Sequence, residues 1–115
     1  MKEEEFKERT KQYALRIIRL VQVLPKTSVA KVIGRQLLRS GTSVGANYRS
    51  ACRARSLAEF AAKMAVVVEE ADESHYWLEL LSEGNLVEAK RLESLMKETD
   101  EIIAITVASV KTARR

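Results

Sequence analysis

The chain has 115 residues, of which 46% are hydrophobic and 31% charged, with one proline and four glycines. This length fits one domain, the apolar fraction is too high for a disordered chain, and so few turn residues disfavour a β-sandwich or barrel. The formal net charge is +4, which permits a polyanionic partner without requiring one.

The first predicted helix covers residues 3–24. Apolar and small side chains recur there at alternating spacings of four and three, which is the period of one helix face. These positions are Phe6, Thr10, Tyr13, Ile17, Leu20 and Leu24. Because proline interrupts a helix, Pro25 is expected to end the first one.

The second predicted helix covers residues 28–54, with Thr27 or Ser28 as its N-cap. One side of it carries aliphatic and small residues, namely Val29, Ile33, Leu37, Val44 and Ala51. Glycine is a weak helix former, so two alternatives stay open at this stage: the helix is continuous, or it bends between Gly41 and Gly45.

The third and fourth predicted helices cover residues 57–82 and 86–112. Ser56 and Glu59 have the spacing of a capping box. The stripe that follows is the most regular in the chain: Leu57, Phe60, Met64, Val67, Ala71, Ser74, Leu78 and Leu81. Gly84 is predicted to stop the third helix and Asn85 to start the fourth. The fourth stripe is Ala89, Leu92, Met96, Thr99, Ile103, Thr106 and Val110.

Four helices of similar length joined by short connections predict an all-α fold, an antiparallel up-down-up-down four-helix bundle. In that arrangement each apolar stripe is buried against two neighbours. No repeat or linker divides the chain, so residues 1–115 are predicted to form one domain.

The composition also bears on location and chemistry. No stretch of about 18 apolar residues is present and the charged start lacks the core of a signal peptide, so a cytoplasmic protein without a membrane partner is expected. Cys52 is the only cysteine and His75 the only histidine, which excludes an internal disulfide and a Cys/His zinc site within one chain. No nucleophile is flanked by a recognisable base. We therefore predict no catalytic residue, no metal and no cofactor, and a protein that is not an enzyme.

Charge is distributed unevenly along the chain. Residues 26–58 contain seven basic and no acidic residues, whereas residues 59–110 contain twelve acidic and four basic ones. At 100° per residue, five cations share one stripe of the second helix, opposite its apolar side. They are Lys31, Arg35, Arg39, Arg49 and Arg53. The stripe would extend about 33 Å, enough to follow several phosphates of a nucleic acid. Two other interpretations stay open, a solvated face or pairing with the acidic helices.

Small residues mark a flank between the basic and apolar sides of the second helix, at Gly34, Gly41 and Gly45. This pattern lets another helix approach closely. A phosphate-binding loop is disfavoured, because its lysine and its preceding strand are both absent. Ser40 and Asn47 lie on the apolar side, where polar contacts that fix the helix register are predicted.

The third helix has a second apolar side, formed by Ala62, Val66, Trp77 and Leu80. It either packs inside a thick bundle or forms a subunit interface anchored by the tryptophan, and we favour the interface. The acidic residues around His75 invite comparison with di-iron bundles. Such sites need two histidines and acids at core positions, so no metal site is predicted.

Three segments resemble the 23S rRNA intervening-sequence protein family: Gln36 to Arg49 (QLLRSGTSVGANYR), Ala51 to Ser56 (ACRARS) and Glu73 to Leu81 (ESHYWLELL). Phe60 and Lys63 add to the resemblance, which covers essentially the whole chain. It implies a four-helix bundle assembled into a homopentameric ring, which would give the second apolar side of the third helix a purpose. The family also resembles the accessory protein of diversity-generating retroelements, a pentameric barrel that binds nucleic acid and a reverse transcriptase.

The predicted function is non-enzymatic binding of RNA or DNA by a homo-oligomer, with the five cations of the second helix on phosphates. Arginines on phosphates position a nucleic acid without reading its bases. The alternative is a protein-interaction scaffold or accessory subunit that docks an acidic partner, such as a reverse transcriptase-like enzyme.

Overall fold

The computed structural model of the chain describes residues 1–115 as four α-helices without a strand. Their bounds are α1 Glu3–Gln22, α2 Ser28–Cys52, α3 Leu57–Glu83 and α4 Ala89–Ala113. Each helix packs on the next, and α4 contacts α1 over a smaller area. Arg9 of α1 reaches Glu101 of α4, whereas Arg16 reaches Ser94, so these helices are antiparallel. The predicted four-helix bundle is confirmed. None of its helices has an apolar stretch long enough to span a membrane.

The ends of the first three helices follow from local chemistry. The Thr27 hydroxyl accepts a hydrogen bond from the Ala30 N–H at 3.2 Å, and Ser56 caps α3 in the same way through the Glu59 N–H at 3.0 Å. α2 is continuous through its glycines, which decides the alternative left open above. α1 and α2 each end two residues earlier than predicted, in a turn before Pro25 and in one after Cys52.

The connection between α3 and α4 differs from the prediction, because Asn85 closes α3 instead of starting α4. Its φ is 60°, in the left-handed region that asparagine tolerates better than most residues. The Leu86 N–H then donates to the Leu81 carbonyl at 2.9 Å, a bond typical of a Schellman motif. α4 therefore begins at Ala89, three residues later than predicted.

The interior consists of the predicted stripe of α1, the α3 stripe from Met64 to Leu81, the small and aliphatic side of α2, and a stripe of α4 that is rotated from the predicted one. Leu57 was predicted to lie in the α3 stripe but is 48% exposed, because it is the first residue of that helix. Leu95 and Ile102 are buried in α4, where Met96 and Ile103 were predicted to be and are only half-buried. Glu98 lies on the same flank of α4 and binds Arg9 of α1.

Buried hydroxyl groups join neighbouring helices. The Ser40 and Ser74 oxygens are 2.8 Å apart between α2 and α3, and the Tyr13 and Thr99 oxygens 2.7 Å apart between α1 and α4. Burial raises the pKa of Tyr13, so the phenol stays protonated as a neutral partner. Ser40 thus makes the predicted contact between helices, whereas Asn47 bonds only to a carbonyl of its own helix.

Candidate nucleic-acid interface

The glycines of α2 lie where α1 approaches most closely. A Cβ on Gly41 would lie 2.8 Å from Cγ1 of Ile17, and one on Gly45 would lie 3.1 Å from Oγ1 of Thr10. Gly34 makes the same kind of contact nearer Pro25, on the side chain of Leu24. Because ordinary carbon contacts are about 3.5–4.0 Å, a larger side chain at Gly41 or Gly45 would hold the two helices apart.

Two shallow grooves run between α1 and α2 beside these glycines, and cations line both. The groove nearer Pro25 has a volume of about 290 Å³ and an apolar floor, with Lys26, Lys31 and Arg35 around it. The second groove has a volume of about 380 Å³ and a floor of small residues. Its basic side chains are Lys7, Lys11 and Arg49.

Four of the five predicted cations of α2 are exposed and have no carboxylate oxygen within 4.0 Å. They are Lys31, Arg35, Arg49 and Arg53. Glu4 and Glu8 share a shallow groove with the last two, beyond ion-pairing distance. The N-terminal pair is therefore the less neutralised of the two.

Arg39, the fifth predicted cation, turns toward α3 instead. Its Nη1 lies 3.2 Å from Oε2 of Glu70, and its Nη2 is hydrogen-bonded to Glu73. The bond to Glu73 is the main reason why the pKa of this guanidinium is raised. The sequence left open whether the predicted cations pair with the acidic helices. Among the five, the structure shows such a pair for Arg39 alone.

Sequence reasoning missed the cations that α1 adds. Lys7 and Lys11 are four residues apart on the side of α1 that turns toward α2. Lys7 is paired with Glu3 and Glu4 at 3.2 and 3.3 Å, whereas Lys11 has no carboxylate within 4.0 Å. The spacing of the two lysines was a usable signal, but only the packing of α1 on α2 brings Lys11 to the same groove as Arg49.

Neither His75 with its neighbouring carboxylates nor Cys52 belongs to this basic surface. His75 is half-buried, with Nδ1 3.5 Å from Glu79 and Nε2 3.5 Å from Asp100, so its two nitrogens face different carboxylates. No three His, Cys, Asp or Glu side chains are grouped to hold a metal ion. Burial raises the pKa of the Cys52 thiol, which favours its unreactive protonated form.

The second apolar side of α3 is incompletely covered in a single chain. Val66, Trp77 and Leu80 are half-buried and Ala62 is exposed, and the Trp77 indole donates to Oε1 of Glu73 at 3.3 Å. An open groove continues this surface from Leu80 onto α2. There Val29 and Val32 are 58% and 55% exposed, although Val29 was predicted to lie in the core. We name this surface the apolar face: Val29, Val32, Val66, Trp77 and Leu80.

Comparisons with known proteins agree with this architecture. A family model described as 23S rRNA-intervening sequence protein matches residues 2–108. A crystal structure of a protein with unknown function from the S23 ribosomal protein family of Bacteroides thetaiotaomicron is 36% identical. The match covers 96% of this chain and 99% of that one, with a TM-score of 0.89. Among curated proteins, none matches the chain.

Proposed function

Because this chain belongs to the 23S rRNA-intervening sequence protein family, we propose that it is a non-enzymatic, homo-oligomeric protein that binds RNA or DNA along α1 and α2. The observation that supports this proposal is a set of exposed cations on one side of two closely packed helices and of the residues that flank α2, none with a carboxylate within 4.0 Å. We name this set the cationic face: Lys11, Lys26, Lys31, Arg35, Arg49 and Arg53.

The electrostatics favour a polyanionic ligand. Like charges held on rigid helices repel one another, and a nucleic acid would both relieve that repulsion and release its condensed counterions. The cationic face presents ammonium and guanidinium groups for phosphates. Contacts of this kind carry no sequence information, so binding should depend strongly on salt and weakly on base sequence.

The test of this function is the double substitution Arg35→Glu/Arg49→Glu, measured by fluorescence anisotropy with RNA and DNA over a salt series. Reversing two unpaired charges should weaken binding at least about tenfold at low salt. The slope of log affinity against log salt should fall by about 2, since each phosphate contact contributes nearly one unit. Both residues are exposed, so the bundle should still fold.

The matched control is Lys90→Glu/Lys97→Glu, which reverses two exposed charges on α4. This variant has the same net charge as the test variant but an intact cationic face, so its affinity should stay within about twofold of wild type. Equal weakening in both variants would mean that net charge alone drives binding. Absence of binding by the wild-type protein would refute the proposed function.

A second candidate is a scaffold that docks an acidic protein, and the apolar floor of the groove beside Pro25 favours it. Val21, Leu24 and Leu38 line this floor between the cations, an arrangement that suits an amphipathic acidic helix. The same charge-reversed variant separates the candidates. A stoichiometric protein that is retained after nuclease treatment and lost on charge reversal, without measurable nucleic-acid affinity, would support the scaffold.

The homo-oligomer in the proposal rests on the apolar face, and the resemblance suggests a ring of five. Val29→Asp/Val32→Asp should convert the oligomer to a monomer, because it places two charges in an apolar contact. Sedimentation velocity measures this change. The control is Val107→Asp on α4, also an exposed valine, which should leave the mass unchanged. A wild-type protein that sediments as a monomer at micromolar concentration would contradict the prediction.

A further inference from the structure

The cations on α2 form two groups separated by an uncharged stretch. Lys31 and Arg35 lie near the start of the helix, Arg49 lies near its end, and Arg53, predicted to be helical, is the C-cap residue directly after it. Arg39 lies between the groups in sequence, but α3 holds its guanidinium. The α2 residues that line the grooves between the groups are uncharged, namely Leu38, Thr42, Gly45 and Ala46, and Lys11 of α1 lines the same groove as the last three.

The distance between the two groups is set by one continuous helix. At 1.5 Å per residue, the inner cations Arg35 and Arg49 are about 21 Å apart along α2, and the outer cations Lys31 and Arg53 about 33 Å apart. One turn of double-helical DNA is about 34–36 Å long. A duplex lying along α2 would therefore present backbone phosphates to both groups.

The face lacks the groups with which proteins hold single strands. Unstacked bases are usually bound on aromatic rings. Three of the six aromatic residues are buried and the other three belong to α3: Phe6, Tyr13 and Tyr48, and Phe60, Tyr76 and Trp77. The hydroxyls of Thr10 and Thr42 in the groove already donate to carbonyls of their own helices, at 2.9 and 2.7 Å. The face thus offers charge for phosphates and little for a base.

The rigidity of α2 also favours a duplex over a single strand. The two groups lie on one continuous helix, so the spacing of their backbone positions is fixed. A flexible single strand would lose conformational entropy on being straightened along α2. A duplex is already straight over about 150 base pairs and carries one charge per about 1.7 Å.

We infer that the cationic face takes double-stranded nucleic acid at least one helical turn long, bound lengthwise along α2 through backbone phosphates at its two groups of cations. This inference rests on the proposed function and specifies its ligand. Sequence-independent binding that depends on duplex length follows from it.

The experiment uses hairpins of RNA and of DNA with stems of about 6, 12 and 18 base pairs, which are roughly a half, one and nearly two turns at about 10 base pairs each. Affinity should rise about tenfold or more between the first two stems, where the second group of cations comes within reach, and only slightly between the second and third. An unstructured single strand with as many nucleotides as the middle stem should bind about tenfold more weakly than that stem.

Two variants link the length dependence to the two groups. Lys31→Glu/Arg35→Glu and Arg49→Glu/Arg53→Glu each remove one group, so each should bind the short and middle stems alike. The control Lys90→Glu/Lys97→Glu on α4 should keep the wild-type difference between stems. All of these side chains are exposed, and circular dichroism verifies that each variant is folded.

The outcomes distinguish the two levels of the proposal. If the single strand binds as tightly as the duplex, or if affinity climbs equally at both length steps, the duplex inference is overturned and nucleic-acid binding stands. If no RNA or DNA binds in any form, the proposed function itself fails. Capture of an acidic protein by the same face, without nucleic-acid affinity, overturns both.

Discussion

Replacing Gly41 with alanine is expected to lower the free energy of unfolding by up to about 2 kcal/mol. The new Cβ would lie 2.8 and 2.9 Å from two carbons of Ile17. That side chain is fully buried and branched at its own Cβ, which lies 3.2 Å away, so it cannot rotate clear. Overpacking of this kind costs about 1–3 kcal/mol, and the higher helix propensity of alanine offsets about 1 kcal/mol of it. Gly41→Leu should cost more than about 3 kcal/mol.

The matched control is Gly34→Ala. Its nearest neighbour is Cδ1 of Leu24 at 2.9 Å, a terminal methyl group that can turn away. The higher helix propensity of alanine should then be the main effect of this substitution. The free energy of unfolding should stay within about 0.5 kcal/mol of the wild-type value or increase. Gly45→Ala should fall between the two, since its closest contact is 3.1 Å. Urea denaturation followed by circular dichroism ranks the three variants by their free energy of unfolding. Equal effects at Gly34 and Gly41 would show that α1 and α2 are not in tight contact.

The ion pair between Arg9 and Glu98 is expected to dominate the contact between α1 and α4. Nε and Nη2 of Arg9 lie 2.7 Å from the two carboxylate oxygens of Glu98, and Nη2 also lies 2.9 Å from Glu101. The side chains of Arg9 and Glu98 are 25% and 18% exposed, so the pair is stronger than a surface one. Arg9→Ala leaves two carboxylates facing each other and should cost about 1–3 kcal/mol.

The control for this pair is Arg16→Ala, which removes one exposed hydrogen bond of 3.0 Å to Ser94 and should cost less than about 0.5 kcal/mol. Native-state hydrogen exchange shows where the loss occurs. Because α4 meets α1 over a small area, exchange should accelerate in α4 before it does in α2 and α3. A loss for Arg9→Ala no larger than that for Arg16→Ala would show that α4 is held mainly by apolar packing on α3.

Much of the fold was predictable because helix periodicity is a local property. The stripe from Phe6 to Ile17 in α1 and the one from Met64 to Leu81 in α3 are buried as predicted. Side chains three and four positions apart share one face whatever surrounds the helix. The stripe of α4 was predicted less well, because apolar residues lie on two adjacent sides of this helix and only its packing in the bundle buries Leu95 and Ile102 more fully than Met96 and Ile103.

The candidate site was only partly predictable. The cations of α2 could be named from spacing, but whether Arg39 points outward depends on Glu70 and Glu73, thirty-one and thirty-four positions away. Lys11 joins the face only because glycines let α1 lie against α2. Long flexible side chains take the direction that their neighbours favour, and those neighbours belong to another helix.

The amino-acid sequence by itself determined that this protein forms four amphipathic helices with an excess of basic charge in the second and of acidic charge in the third, since both properties follow from residue order and the period of the helix. The tertiary structure alone decided which charges stay free. Helix packing set Arg39 against α3, added Lys11 to the cationic face, and left Val29 and Val32 uncovered, because an ion pair or a buried surface exists only between elements that the fold brings together.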